Sequence, residues 1–359
     1  MILVFQIFFV TLQRNKHLQF RNMPNINSQG AKPFLKWAGG KGQLLSQLDS
    51  YLPKQLDGRP FTYIEPFVGG GAMLFYMLRK YPEIRHAVIN DINPHLTAAY
   101  RTIKDNPKEL IEQLTELESQ YFTLGDEEAK KNFYLEQRRL FNETEMGEVE
   151  RTKLLIFLNR TCFNGLYREN SKGKFNVPFG RYMHPTICNK ETILADSEAL
   201  NRTNVTILNG DFADTRNYID ENGINFIYFD PPYRPLNATS NFNSYVKDEF
   251  NDDEQKRLGD FLKTLDNQLG VYWMLSNSDC SANNPEDRFF EDIYADFYIN
   301  RVYASRAINA NPAKRGKLTE LLICNYRPED YGVIVADTLV DFEGYHNMQR
   351  NEKLMELIG

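Results

Sequence analysis

The chain has 359 residues, 42% of them hydrophobic and 25% charged, with a formal net charge of −6. This balance excludes fibrous and wholly disordered classes and leaves room for one large core with a smaller appended unit. Four cysteines lie far apart with no CxxC pair and the five histidines form no HxxxH or HExxH pattern, so reduced thiols, a cytoplasmic setting and no metal are expected.

Met1 to Leu12 is apolar, but it is too short to span a bilayer, lacks a basic segment in front and has no small-residue cleavage site behind. Residues 1–30 are read as a loosely attached extension, with Met23 a candidate start. Pro33-Phe34-Leu35-Lys36-Trp37-Ala38-Gly39-Gly40-Lys41 then precedes a helical pattern (Leu44, Leu45, Leu48, Tyr51, Leu52) that stops at Pro53. The glycine pair lets backbone approach a ligand at a helix start, where unpaired N–H groups attract carboxylate or phosphate. Lys41 adds a charge, and the spacing of a P-loop is absent.

Phe61 to Glu65 reads as a strand, Pro66-Phe67-Val68-Gly69-Gly70-Gly71 as a tight loop and Ala72 to Lys80 as a helix. This is the opening strand–loop–helix of a doubly wound sheet. A second strand, Ala87 to Asn90, ends on Asp91, 26 positions after Glu65, where a carboxylate is placed to bind ribose hydroxyls. Loop and acid together indicate a nucleoside-containing cofactor, with a nicotinamide dinucleotide and S-adenosylmethionine as candidates. The loop is F-x-G-x-G and not G-x-G-x-x-G, which weakens the dinucleotide reading.

Pro107 to Gly147 has the spacing of one or two solvated amphipathic helices. Charge is uneven: Asp105 to Glu150 holds 13 acidic against 5 basic residues, whereas Arg151 to Lys190 holds 8 basic residues and only Glu169. Arg301 to Lys317 adds five basic residues and no acid. Two basic segments in an acidic chain mark a localised phosphate-binding face. From Leu154 to Tyr182 basic residues alternate with aromatics around Lys172-Gly173-Lys174, which fits a hairpin or loop pressed on a duplex.

Val205 to Leu208 reads as a strand, and Gly210-Asp211-Phe212 at its carboxyl end supplies a carboxylate and a ring suited to a cofactor base. Asn225 to Phe229 is a short apolar run, read as a buried strand, that runs into Asp230-Pro231-Pro232-Tyr233. The prolines hold the turn nearly rigid and cannot donate. An acceptor at the carboxyl edge of a sheet beside a flat ring suits a planar heterocycle with an exocyclic amino group. Pro235 to Phe250 reads as a flap, Asp252 to Leu265 as a helix and Val271 to Leu275 as a strand. Phe297 to Ala304 and Leu318 to Tyr326 read as a closing antiparallel pair around a basic loop (Arg306, Lys314, Arg315, Lys317), with a variable tail from Arg327.

FLKWAGGK, EPFVGGG, LNR followed by NGL, GKFNVPFGRY and DPPY occur in this order between Pro33 and Tyr326, and the sum resembles the adenine-N6 DNA methyltransferases of the Dam and DpnII type. The resemblance implies an α/β fold, a doubly wound, mostly parallel seven-stranded sheet of the S-adenosylmethionine-dependent methyltransferase kind, with a smaller helical and hairpin target-recognition domain. That domain would span residues 101–195, between a cofactor half (31–100) and a DPPY half (196–326). The implied reaction moves a methyl group from S-adenosylmethionine to N6 of a flipped-out adenine in GATC of double-stranded DNA. The implied role is either restriction-modification, beside a paired endonuclease, or Dam-like.

Carried onto matching positions, the resemblance makes Asp230, Pro231 and Tyr233 catalytic. Trp37, Ala38, Lys41, Phe67 and Asp230 become cofactor contacts, Asp91 the ribose acid, and Asp211 with Phe212 the holders of the cofactor adenine. Lys36 and Arg168 become guanine-side contacts, Leu166 and Pro178 apolar readers near the thymine methyl, and Asn164 and Tyr182 further recognition contacts. Where the Dam branch inserts a tyrosine into the base stack this chain has Phe163, whose ring can wedge without any hydrogen bond from a hydroxyl.

Overall fold

Strand β1 (Phe61–Glu65) is buried along its whole length, the pattern of a parallel strand covered on both faces. In the computed structural model, which describes residues 30–236, 250–304 and 318–328, it belongs to a seven-stranded sheet. The other strands are β2 (Ile84–Asn90), β3 (Val205–Leu208), β4 (Ile224–Phe229), β5 (Val271–Ser278), β6 (Tyr298–Ala304) and β7 (Leu318–Cys324), in the order β3-β2-β1-β4-β5-β7-β6. β1 runs parallel to β2 and β4, with Ile64 opposite Val88 and Ile227, and β4 runs parallel to β5. β7 is antiparallel to both β5 and β6, giving the expected closing pair. The strand order reverses between β1 and β4, so the carboxyl ends carrying Glu65 and Asp230 stand at the switch point where such sheets bind ligands.

The helices are α1 (Leu45–Asp49), α2 (Ala72–Lys80), α3 (Pro94–Asp105), α4 (Pro107–Thr123), α5 (Glu127–Glu143), α6 (Glu148–Thr161), α7 (Lys190–Arg202), α8 (Asp252–Asp266), α9 (Cys280–Asn283) and α10 (Phe289–Ile293). The chain divides into two compact units. One holds the described residues up to Gly40, then Gly69–Pro82 and Asn93–Asn209; the other holds Lys41–Val68, Glu83–Ile92 and the described residues from Gly210 onward.

The first unit is mainly helical. The Asn93 side chain accepts from the His95 and Leu96 amides at 2.9 and 3.2 Å and Pro94 fills the first turn of α3, a start signal in side-chain and backbone chemistry alike. Asp126 caps α5 through the Ala129 amide at 2.7 Å. α6 is buried from Leu154 through Asn159 without interruption, so it lies inside the unit.

Several expectations need correction. Residues 154–161 belong to α6 and not to a hairpin; loop character begins at Cys162, where isolated antiparallel bridges join Cys162 to Phe179 and Glu169 to Phe175. A helix buried all round has no polar face, so its period is invisible. β2 starts three residues earlier than read and β5 continues to Ser278. The helix read over Leu44 to Leu52 is a 3-10 turn (Lys41–Gln43) followed by the short α1. α3, α7, α9 and α10 escaped the reading. Met1 to Leu12, Met23, residues 237–249 of the proposed flap, the basic loop with Arg306, Lys314, Arg315 and Lys317, and the tail beyond 328 lie outside the described residues.

A candidate catalytic site and a candidate DNA-reading turn

In the second unit the buried run Phe226 to Phe229 delivers Asp230 to the end of β4. The amino group of Lys41, a residue only 4% exposed, lies 3.0 Å from Asp230 Oδ1 and 3.5 Å from Glu320 Oε2. It also donates to the Tyr233 hydroxyl at 2.6 Å and stands over the Tyr233 ring, 4.1 Å from its centroid. That hydroxyl in turn donates to Glu320 Oε2 at 2.7 Å. Burial pushes the Asp230 carboxyl up to about 6; Lys41 pulls against the rise and Glu320 adds to it. Burial, with Asp230 and Glu320 nearby, drives the Tyr233 hydroxyl well above its ordinary value, so it stays a neutral donor.

The turn after Asp230 is fixed from behind. Pro231 is buried, and the Pro232 carbonyl accepts from Gln255 Nε2 at 2.9 Å. Asn277 Nδ2 donates to Gln255 Oε1 at 3.0 Å, and Ser278 Oγ donates to the Arg234 carbonyl at 2.7 Å. Arg234 itself pairs with Asp252 at 2.9 Å and Asp287 at 2.6 Å and covers the Phe289 ring. Charge-assisted pairs on a residue next to the turn hold its backbone in one conformation.

The cofactor candidates of this unit form a second cluster. The Phe67 ring lies 5.4 Å from Phe212 and 5.5 Å from Phe250. Arg257 clamps both oxygens of Asp211 at 3.0 and 2.6 Å, which holds that carboxyl below its usual range, and its guanidinium lies 4.1 Å from the Phe212 centroid. Asn90 ties the two loops together: its Nδ2 donates to the carbonyls of Pro66 and Gly210, each at 3.0 Å. Asn90 Oδ1 is buried with no hydrogen-bond partner among the described residues. Asp91 directly follows β2.

The remaining candidates lie in the first unit. Trp37 stacks on Tyr167 at 5.0 Å, and a Cβ at Gly70 would sit 3.0 Å from the Trp37 Cβ, so the glycine loop must stay bare to pass the indole. Ala38 is exposed. Asn159, 1% exposed, grips residue 36 by its peptide: it accepts from the Lys36 amide at 2.9 Å and donates to the Lys36 carbonyl at 2.9 Å and the Gly165 carbonyl at 2.8 Å. The Lys36 side chain is exposed, with its ammonium 5.4 Å from the Tyr182 ring.

The turn that follows α6 presents Phe163, 49% exposed, and Asn164 in left-handed backbone, φ 57°, which asparagine tolerates better than most residues. The Pro178 carbonyl accepts from the Phe163 amide at 2.8 Å, while Leu166 is half-buried and Arg168 exposed with its Nε donating to Asn176 Oδ1 at 2.7 Å. α5 supplies the support: Tyr134 OH and Arg138 donate to the Val177 carbonyl at 2.7 and 3.1 Å, and Asn142 exchanges two hydrogen bonds with Phe175.

Most candidates therefore gather in three places: Lys41, Asp230 and Tyr233; Phe67, Asp211 and Phe212; and Lys36, Tyr182 and the turn from Phe163 to Arg168, whereas Trp37 and Ala38 are not joined to the Phe67 cluster. The sequence reading missed Glu320, Asn159, Gln255, Asn277 and Arg257. Asn159 did carry a signal, being a polar residue that closes the buried apolar run Leu154 to Leu158; Glu320, half-buried beside Thr319 at the start of β7, carried none. Among the described residues no helix is long and apolar enough to cross a membrane, and no group of His, Cys, Asp and Glu side chains is placed to hold a metal ion.

Residues 37–308 match the family described as D12 class N6 adenine-specific DNA methyltransferase. The chain is 49% identical over 299 residues to the type II methyltransferase M.MjaIII of Methanocaldococcus jannaschii, covering 82% of this chain and 99% of that protein. It is 40% identical over 308 residues to the type II methyltransferase M1.LlaDCHI of Lactococcus lactis subsp. cremoris, covering 85% and 99%. To a DNA adenine methylase of Haemophilus influenzae it is 33% identical over 291 residues, covering 81% and 92%. Matches of this extent, over the same motifs that build the strand-end carboxylate and its ring, mean that the chain belongs to the D12 class of N6 adenine-specific DNA methyltransferases and is an adenine-specific DNA-methylating enzyme.

Proposed function

We propose that this enzyme transfers the methyl group of S-adenosylmethionine to N6 of adenine within GATC in double-stranded DNA, as the modification partner of an endonuclease in the cytoplasm. The observation that carries the reading is the half-buried Asp230 carboxylate at the end of β4, with a nitrogen donor 3.0 Å away and an aromatic ring beside it. An adenine amino group is the neutral ligand that would use both. The type II names of two relatives at 49% and 40% identity favour the modification role.

The residues of the second cluster fit the methyl donor. Asp91, Asp211 and the unpartnered Asn90 Oδ1 are acceptors for ribose hydroxyls and an adenine amino group, and Phe67 is a ring to lie against a base. Trp37, Ala38 and Lys41 complete the proposed cofactor contacts. S-adenosylmethionine, when bound, supplies an electrophilic methyl group on a sulfonium.

The chain's own residues do the remaining work. An adenine N6 lone pair is delocalised into its ring and is a weak nucleophile, and inside a duplex it is out of reach, so the base must leave the stack. Tyr233 offers the face on which it stacks. Asp230 and the Pro231 carbonyl accept the two N6 hydrogens and favour a more tetrahedral nitrogen. Positioning and fixed electrostatics account for the rate, with no covalent enzyme intermediate. Residues 101–195 act as the target-recognition domain: Lys36 and Arg168 read guanine, Leu166 and Pro178 pack near the thymine methyl, Asn164 and Tyr182 add contacts, and Phe163 fills the gap left by the base.

The test is to incubate the purified enzyme with unmethylated plasmid and S-adenosylmethionine, then digest separately with nucleases that cut GATC only with or only without adenine methylation. Sensitivity to the first and protection from the second is expected. Methyl incorporation into DNA with neither change would overturn the GATC assignment and leave the chemistry standing.

A further inference from the structure

We propose that Glu320 is a positioning residue for methyl transfer: it keeps the Lys41 ammonium paired while the target amino group replaces that ammonium on Asp230 and Tyr233. The inference rests on the reading of Asp230 and Tyr233 as the adenine site.

The Lys41 ammonium has three N–H donors, and among the described residues three oxygens surround it: the Tyr233 hydroxyl at 2.6 Å, Asp230 Oδ1 at 3.0 Å and Glu320 Oε2 at 3.5 Å. Two of these contacts, with the ring face it covers, are what an incoming adenine needs. Lys41 is thus a stand-in for the substrate. It must yield the carboxylate of Asp230, and a buried ammonium stripped of its counter-charge is strongly unfavourable.

Glu320 removes that difficulty. It projects from β7, in register with Ser278 of β5 and Val302 of β6, and its Oε2 already touches both the ammonium and the Tyr233 hydroxyl. A small shift of Lys41 toward Glu320 vacates Asp230 without leaving the cation unpaired, and the Tyr233 to Glu320 hydrogen bond keeps the ring oriented meanwhile. Two carboxylates sharing one lysine also leave the cluster short of positive charge. Among the described residues the charged and titratable groups that face Asp230 are Lys41, Glu320, Tyr233 and Tyr228; of these Glu320 adds to the upward push on the Asp230 carboxyl.

The experiment compares equilibrium binding of two GATC duplexes, one with adenine at the target position and one with purine, which lacks the amino group, each set opposite an abasic site so that neither base breaks a pair when it flips. Wild-type enzyme should prefer adenine by about tenfold, the worth of one hydrogen bond to a charged group. Glu320→Gln should bring that ratio close to one, because Lys41 then stays on Asp230, and should lower the midpoint of the acid limb of single-turnover methylation. In a Lys41→Met background, Glu320→Gln should change the ratio no further. A wild-type ratio retained by Glu320→Gln overturns the inference, and so does an equal loss in both backgrounds, which is the mark of a merely structural glutamate. A wild-type enzyme that methylates adenine without preferring it over purine in binding overturns the inference and leaves the adenine reading standing. A wild-type enzyme that puts no methyl group on duplex adenine overturns the adenine reading, and the inference with it.

Discussion

Asp230 is asked to do two things that oppose each other. Burial raises its carboxyl to about 6, above the value near 4 of an unfolded aspartate, so the fold favours the protonated form. Its contribution to stability is complete below about pH 4 and is lost as pH rises through about 6. On the proposed mechanism activity runs the other way, since the ionised carboxylate is the stronger acceptor for the amino hydrogen it takes. Single-turnover methylation should therefore fall away below about pH 6, measured with saturating DNA and methyl donor. Asp230→Ala should lower transfer by about 100-fold or more while the dissociation constant for duplex DNA stays close to wild type; a variant with ample residual transfer would remove Asp230 from the chemistry. Only half of this site was legible in the sequence. The DPPY stretch names Asp230 and Tyr233 because a rigid acceptor turn after an apolar run has few other uses. Glu320 lies 90 positions further along, and nothing local links it to Lys41; the pairing exists only once β7 is laid beside β5.

Elements were legible where local chemistry agreed with tertiary context. β1, β3 and α2 fall where the sequence puts them because glycine, proline and turn residues bound them on both sides. α6 was misread because burial all round erases periodicity. Of its three buried polar side chains, Thr152, Asn159 and Thr161, it is Asn159 that makes the turn after α6 a fixed object. Asn159→Ala removes three hydrogen bonds and leaves the Lys36 amide and two carbonyls to find other partners, so it should cost about 2–4 kcal/mol in denaturant unfolding and relax base preference in methylation assays. Gly165→Ala strikes the same joint from the other side. Gly165 has φ +65°, and a Cβ there would lie 2.3 Å from Lys36 Cδ. The change should destabilise by at least about 1 kcal/mol and weaken binding to GATC more than to unrelated duplex. A Gly165→Ala enzyme with unchanged preference would mean that the position of Lys36 is irrelevant to recognition.

At the scale of the whole molecule the charge count of the sequence mixes cations tied to the chain's own carbonyls and carboxylates with cations open to solvent. Of the eight basic residues between Arg151 and Lys190, Arg151 donates to the carbonyls of Phe141 and Thr144, and Arg160 donates to the Phe34 carbonyl at 2.6 Å. Lys174 and Arg181 pair with Glu143 and Glu127. A linear count cannot tell cations that hold the fold from cations that meet phosphate. Lys172 is exposed, and Lys172→Ala should reduce the slope of log affinity against log salt by about one with base preference unchanged, read from binding titrations at several ionic strengths. The grip of Asn159 on residue 36 has a bearing on how such enzymes diversify. It holds the peptide N–H and C=O and not the side chain, so an unbranched residue that passes Gly165 as Lys36 does can stand there without losing those hydrogen bonds. The position is a socket with a replaceable bit. On the proposed reading of Lys36 as a base contact, a new base preference at this point of the recognition sequence is reachable by exchanging one side chain while the hydrogen bonds that hold its backbone stay in place.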